Sequence, residues 1–283
     1  MIGLSFFVLG LSSILALGLP PVACAAPSVD RTRSWVIDSL RDGLRHPPDM
    51  NRVSSLVYPL VTDYQQTKHP ETAEVLTEVH RFLKTLRVAS LDCGQLVDAR
   101  LAATFLGRVG KDLDTAEVEQ YLSDCAFGSQ RIDLASTLFF YCRFTEKDPD
   151  ERIPGGLRLL ESIQRADGAF RAENGMPEYY LSSHAVYALY YCKGDPGVVR
   201  RGQQYLVSQL PYFRQAGFID GLAESLIMLD EMGVAVPNRE QYLSYLRSRI
   251  WPEGSICYLD RPGCKPHWHT TGLLLELQRM AGD

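Results

Sequence analysis

From Arg33 onward, apolar residues recur at intervals of three and four, the spacing that lays one stripe along an α-helix. The short alternating runs rich in β-branched residues that mark strands form no convincing series. The pattern predicts helices at Ser34–Leu44, Asn51–Tyr64, Glu71–Leu86, Gln95–Val109, Thr115–Asp124 and Ile132–Phe144. It continues with Gly155–Gln164, Tyr180–Cys192, Gly197–Gln209, Ile219–Met232, Arg239–Arg249 and Thr270–Met280. The fold class expected is all-α.

Local chemistry marks several of the ends. Asp114 precedes Thr115-Ala116-Glu117, where its carboxylate can accept from the first free N–H groups of a helix, and Asn238 stands in the same place before "REQYLSYL". Pro154 and Pro196 fall in first-turn positions, where a missing N–H costs nothing. Gly110, Gly194 and Gly233 follow helix ends, where a left-handed residue is often needed. Asp114, Ile153, Gly197 and Asn238 open successive units roughly 40–45 residues apart, the period of a repeat architecture.

Each unit pairs a helix that has a polar face with a more apolar one. "LASTLFFYC", "HAVYALYYC", "LAESLIMLDEM" and "TGLLLELQRM" are apolar around most of their circumference and should be buried on several sides. Six such pairs with the apolar helices inside close into an (α/α)6 toroid; a straight solenoid would need capping repeats, and none is identifiable.

One linker carries a motif. Gln164-Arg-Ala-Asp167-Gly168-Ala-Phe170 fits Q-x-x-D-G-x-[W/F], and Arg249-Ile-Trp-Pro-Glu253-Gly254-Ser-Ile256 is a degraded copy. The first resembles the glutamine–aromatic repeat of squalene and terpenoid cyclases, whose superfamily includes the protein prenyltransferase β subunits. That resemblance, which covers about 30 residues, implies the same (α/α)6 toroid. In physical terms, Gln164 can bond free carbonyls at the end of the outer helix, Asp167-Gly168 makes a tight turn, and Phe170 packs over the join.

The 283-residue chain opens on a stretch of different character. Residues 1–25 contain no charged side chain, run apolar from Ile2 to Leu19, break at Pro20-Pro21, and end Ala23-Cys24-Ala25. That reads as a signal peptide cleaved before Ala26, leaving residues 26–283 as a single toroid domain that is secreted or periplasmic. A membrane anchor or a lipid-modified Cys24 is the alternative reading. No other stretch approaches the ~20 apolar residues needed to span a bilayer. Of seven cysteines, removal of Cys24 leaves an even set, as an exported disulfide-bonded chain would have. Spacing alone leaves their pairing open. Net charge is −5 with no basic stripe, which argues against a nucleic-acid partner.

In the toroid that the resemblance implies, all inner helices start at one end, so residues at those starts should converge. Asp98, Asp133, His184, Asp220, Glu224 and His269 would meet there, with Tyr179, Tyr180 and Trp268 beside them. His184, Asp220, Asp133 and His269 are the candidate catalytic groups; Tyr179, Tyr180, Trp268, Glu224 and Asp98 are candidate ligand contacts. The helix dipoles would favour an anion such as a diphosphate at this mouth. The same residues would also serve as plain caps and first-turn polar groups, which every helix needs.

The toroid families' own motifs are incomplete. The acidic D-x-D-D of the cyclases has its nearest counterpart in Asp112-Leu-Asp114-Thr115, which lacks the third acid and opens an outer helix. "HTTGLLLEL" at His269 looks like the zinc-binding histidine segment of the prenyltransferases, and Ser255-Ile-Cys257-Tyr258 is faintly like their cysteine segment, with serine in place of the aspartate. Zinc at His269 with Asp260, Cys264 and His267 is the weaker expectation; no cofactor is the stronger. The G-C-G-E-Q thioester of complement-like toroids, the G-x-S-x-G elbow and H-E-x-x-H are absent. In the toroid, Cys257–Cys264 would close a short loop, Cys142–Cys192 would join neighbouring inner helices, and Cys93–Cys125 would lie at one end.

These features leave two functions in view, with a structural interaction module that uses its outer surface as a blander third. One is a cyclase-like or prenyltransferase-like toroid, without the usual catalytic motifs, that binds a hydrophobic or amphipathic molecule. The other is a secreted hydrolase or lyase acting on a glycan or lipid, drawing on Asp133, Asp220, Glu178, Tyr179 or His184.

Overall fold

The computed structural model describes residues 28–45, 48–124, 131–144, 152–172 and 177–280, and for a few helical positions only the backbone. Among the described residues there are twelve α-helices and no named strand. They are α1 (Val29–Gly43), α2 (Met50–Thr67), α3 (Pro70–Lys84), α4 (Cys93–Gly107), α5 (Ala116–Asp124) and α6 (Arg131–Phe144). There follow α7 (Arg152–Ser162), α8 (Glu178–Tyr191), α9 (Pro196–Gln215), α10 (Ile219–Glu231), α11 (Arg239–Arg247) and α12 (Trp268–Met280).

The even-numbered helices form a closed inner ring. Each packs on the next, and α12 packs on α2; α1, α3, α7, α9 and α11 lie on the outside of the pairs they open. Burial follows the sequence pattern. Every residue of α10 from Ile219 to Leu229 is buried, whereas α11 buries only Tyr242, Leu243 and Leu246. One core spans α6 to α12, and a second joins α1 to α4 and reaches Leu275 of α12. Between α1, α2 and α12, the buried carboxylate of Asp63 is clasped by Arg33 and Arg279.

The glutamine–aromatic linker does more than end one helix. The Gln164 amide donates to the Gly168 carbonyl at 3.2 Å and to the Val198 carbonyl of α9 at 2.9 Å, so it staples one repeat to the next outer helix. The Phe170 N–H donates to Ser182 Oγ of α8 at 2.9 Å, and its side chain is wholly buried. The degraded copy repeats this backbone geometry. Trp251 N–H reaches the Ser255 carbonyl as Arg165 N–H reaches that of Ala169, and Ile256 N–H meets Thr271 Oγ1 of α12.

Both turn glycines have positive φ, and each abuts the outer helix of the following repeat. A Cβ on Gly168 would stand 2.2 Å from the Arg201 carbonyl oxygen of α9, and one on Gly254 would stand 2.5 Å from the backbone of Arg31 in α1. The helix that follows α11 around the ring is therefore α1, which is how a toroid closes and a solenoid does not.

Three local expectations are corrected. Asn238 is itself left-handed (φ 57°) and makes no side-chain cap. After α8 the left-handed residue is Lys193 (φ 57°) rather than Gly194. Helix α9 runs on through Pro211 to Gln215, because burial of Leu210 and Phe213 offsets the one backbone bond that proline removes. Disulfides join Cys142 to Cys192, across α6 and α8, and Cys257 to Cys264. Cys93 is also disulfide-bonded, and Cys125 lies outside the described residues. The expected leader at residues 1–25 lies outside them too. No helix among the described residues is long and apolar enough to cross a membrane.

Candidate functional site at the inner-helix mouth

The starts of α4, α8, α10 and α12 bring together most of the side chains singled out from the sequence. Asp220 and Glu224 lie one turn apart on α10 and are 3% and 7% exposed. Thr270 Oγ1 of α12 donates to Asp220 Oδ1 at 2.7 Å, and His269 Nε2 stands 3.9 Å from the same oxygen. His184 Nε2 of α8 stands 3.7 Å from Glu224 Oε1. Its other ring nitrogen, Nδ1, is 2.9 Å from the Tyr180 carbonyl, which can only accept; Nδ1 therefore carries the proton and Nε2 presents a lone pair.

Burial sets the electrostatics. It holds the His184 imidazole below its ordinary value, so the ring is neutral near pH 7. It raises the Glu224 carboxyl to about 7, with a further push from the Asp220 charge and a smaller opposing pull from His269. Asp98, on α4, is pushed up to about 6 by burial although Ser54 Oγ donates to it at 2.6 Å. A neutral base thus faces an acid that can hold or release a proton near neutrality.

Aromatic rings wall this cluster. Tyr179 packs edge-on against Phe218 and Phe213 at centroid distances of 4.8 and 5.3 Å. The Tyr258 hydroxyl lies 3.3 Å from that of Tyr179, and the Tyr180 ring sits 4.6 Å from the His184 ring. Trp268 stacks on His267 at 5.4 Å. Burial raises all three tyrosine hydroxyls above their ordinary value, and Asp220 and Glu224 add to the shift in each. The three phenols therefore share the field of the same two carboxylates.

The remaining candidates are placed as follows. Asp133 belongs to α6, but its side chain lies outside the described residues. Glu178 points its carboxylate at Arg165 on the outside, at 2.8 Å. Asp114 caps α5 through the Ala116 N–H at 3.0 Å, away from the mouth. Among the described residues, no three His, Cys, Asp or Glu side chains are placed to hold a metal ion. The Cys264 sulfur, one of the ligands of the weaker zinc expectation, is tied up in its disulfide.

Some of the first-turn N–H groups at the mouth are capped from within the chain. The Tyr258 carbonyl accepts from Ile219 and Asp220, taking the first N–H groups of α10. Asp92 takes the Gln95 N–H of α4 and Asp49 the Arg52 N–H of α2, and the charges of Glu224, Asp220 and Asp98 all act on the Tyr180 hydroxyl.

Sequence reasoning missed Ser54, Thr270 and the role of Tyr258, because hydroxyls carry no pattern of their own. It also missed a second polar cluster at the far ends of the inner helices. There, Glu231 of α10 accepts from Tyr58 of α2 at 2.8 Å and Tyr191 of α8 at 3.2 Å, and Arg143 of α6 lies 3.4 Å away. The Arg143 guanidinium also covers the Tyr191 ring at 4.4 Å.

No protein-family model matches the chain, and no curated protein matches it at a significant level. Among solved structures it is similar to the apo form of a type II terpene cyclase, MstE from Scytonema. The TM-score is 0.56 over 90% of this chain and 99% of that one, at 13% sequence identity. The likeness is one of fold.

Proposed function

We propose that this chain is an exported, cyclase-like toroid that binds a hydrophobic or amphipathic molecule at its inner-helix mouth. The observation that carries this reading is the wall of Tyr179, Tyr180, Phe218 and Tyr258 around the buried pair Asp220 and Glu224. Apolar walls with a few convergent polar groups are what a small-molecule site needs. Export is supported by the disulfides Cys142–Cys192 and Cys257–Cys264, which persist in oxidising compartments. A titration with the neutral fluorophore Nile red tests the binding. Saturable uptake by the wild type that is weakened in a Tyr180→Ala, Trp268→Ala variant supports the reading; unsaturable or equal uptake contradicts it.

The His184–Glu224 arrangement favours a second reading, an acid–base enzyme acting on a glycan or lipid. A neutral imidazole beside a carboxyl with a pKa near 7 is the pairing that general acid–base catalysis uses. On this reading, His184→Ala or Asp220→Asn abolishes turnover of a glycan or lipid substrate while leaving the melting temperature nearly unchanged.

A further inference from the structure

Three features of the mouth bear on the charge of its ligand. First, its fixed charge is acidic: Asp98, Asp220 and Glu224 converge there, and His184 is held neutral by burial. Arg52, the guanidinium over the Trp268 ring at 5.8 Å, is already matched by Asp42 at 2.7 Å and Asp49 at 3.6 Å. Second, part of the donor set an anion would use is taken: the Tyr258 carbonyl holds the Ile219 and Asp220 N–H groups of α10, Asp92 takes the Gln95 N–H of α4, and Asp49 takes the Arg52 N–H of α2. Third, Glu224 is 7% exposed and makes no hydrogen bond among the described residues. Nε2 of the neutral His184 ring stands beyond hydrogen-bond reach at 3.7 Å and brings no positive charge to it.

A carboxylate largely withdrawn from water and one turn from a second acid is costly to ionise, and the partner that relieves it best is a cation. The rings around it suit the same guest, because an ammonium group is attracted to the electron-rich faces of tyrosine. Resting on the binding reading above, we propose that the mouth selects a cationic amphipath: an alkyl chain ending in an amine or quaternary ammonium group, held by Asp220 and Glu224 beside Tyr179, Tyr180 and Tyr258. A neutral amphipath would leave Glu224 unanswered. An anionic one would add repulsion from three carboxylates.

The titratable groups around Glu224 are Asp220 on its own helix, His184, Tyr179 and Tyr180 on α8, His269 on α12, and Tyr258 in the loop before it. Ionised Glu224 attracts the guest and the protonated form does not, so affinity should rise with pH through about 7.

The test is calorimetric titration of the whole chain with three probes of one chain length, each below its micelle concentration: dodecyltrimethylammonium, dodecanol and dodecyl sulfate. The expected result is binding of the ammonium probe about tenfold or more tighter than the alcohol, with the sulfate weakest. Glu224→Gln and Asp220→Asn should each bring the ratio of ammonium to dodecanol affinity, measured within the same variant, down towards one. Asn keeps an acceptor for Thr270, and circular dichroism checks that both variants fold. Equal binding of all three probes would overturn the charge selection and leave the binding reading standing. Failure of all three to bind would overturn both.

Discussion

Thr270 donates a 2.7 Å hydrogen bond to Asp220 Oδ1, and with it the first turns of α12 and α10 are joined. Both residues are essentially buried, so the bond is shielded from water. It orients Asp220, and it brings His269, the neighbour of Thr270, to 3.9 Å from the same carboxylate oxygen. Replacing Thr270 with valine keeps the shape and deletes the donor. Leaving a buried carboxylate short of one bond costs about 1–3 kcal/mol, so Thr270→Val should lower stability by that amount in urea denaturation. Thr270→Ser should restore most of it. Equal stability of the valine and serine variants would show that the bond does not orient the site.

Ring closure can be probed at two glycines. Gly254 has φ 96°, and an added Cβ would meet the Arg31 backbone at 2.5 Å. Gly110 has φ 73° with nothing within 4 Å of the added atom. Both pay the left-handed cost of roughly 1 kcal/mol, but only Gly254 also wedges apart the linker and α1. Gly254→Ala should therefore lower the melting temperature well below that of Gly110→Ala. Indistinguishable melting curves would mean that the α1 contact contributes little to holding the ring.

Protonation at the far end of the inner ring gives a stability signature. Burial, then the Glu231 charge, holds the Glu276 carboxyl up at about 7, and its Oε2 is buried without a hydrogen-bond partner. The folded state keeps this proton through a range in which the unfolded chain, near 4.5, has lost it. Its contribution is thus fully present below 4.5 and lost as pH rises through about 7. Glutamine cannot ionise. Stability of Glu276→Gln measured in urea should fall less than wild type between about pH 5.5 and about pH 8, by on the order of 1–3 kcal/mol. His184 and His267, both depressed by burial, act in the opposite sense below about 6.5 and are common to both proteins. An unchanged pH slope would contradict the buried neutral carboxyl.

The loop closed by Cys257 and Cys264 holds the start of α10. Its Tyr258 carbonyl takes the Ile219 and Asp220 N–H groups at 3.2 and 3.3 Å, and Asp260 N–H donates to the Gly217 carbonyl at 2.7 Å. Cutting the disulfide with Cys257→Ser, Cys264→Ser should free the loop and expose those amides. Hydrogen exchange at Ile219 and Asp220 should speed up by about tenfold or more, with the amides of α3 unaffected. Unchanged exchange would show that the loop holds its shape without the covalent tie.

The fold was largely legible in the sequence, because helical periodicity reports which face is buried. Leu222, Leu226 and Leu229 fall on α10 where the apolar pattern placed them, and all are fully buried. Helix ends were less legible. The apolar pattern stops the ninth helix at Gln209, whereas α9 continues through Pro211 with Phe213 buried beyond it. The mouth was half legible. Charged and aromatic residues at inner-helix starts announce a meeting point once a toroid is assumed, so Asp220, Glu224, His184 and Tyr180 could be named together. What one sequence does not encode locally is direction. Asp220 faces Thr270 across 50 positions, and Tyr258 reaches Tyr179 across 79, through a ring closure that no short motif describes.

Native mass spectrometry of the mature chain, purified from its own host, tests most directly whether the mouth holds an amphipath. The expected spectrum shows a chain lacking residues 1–25, oxidised at three disulfides, and carrying one small amphipathic molecule that Tyr180→Ala, Trp268→Ala no longer retains. A chain that emerges bare, and that takes up none of the ammonium, alcohol or sulfate probes on titration, would contradict the ligand-binding role.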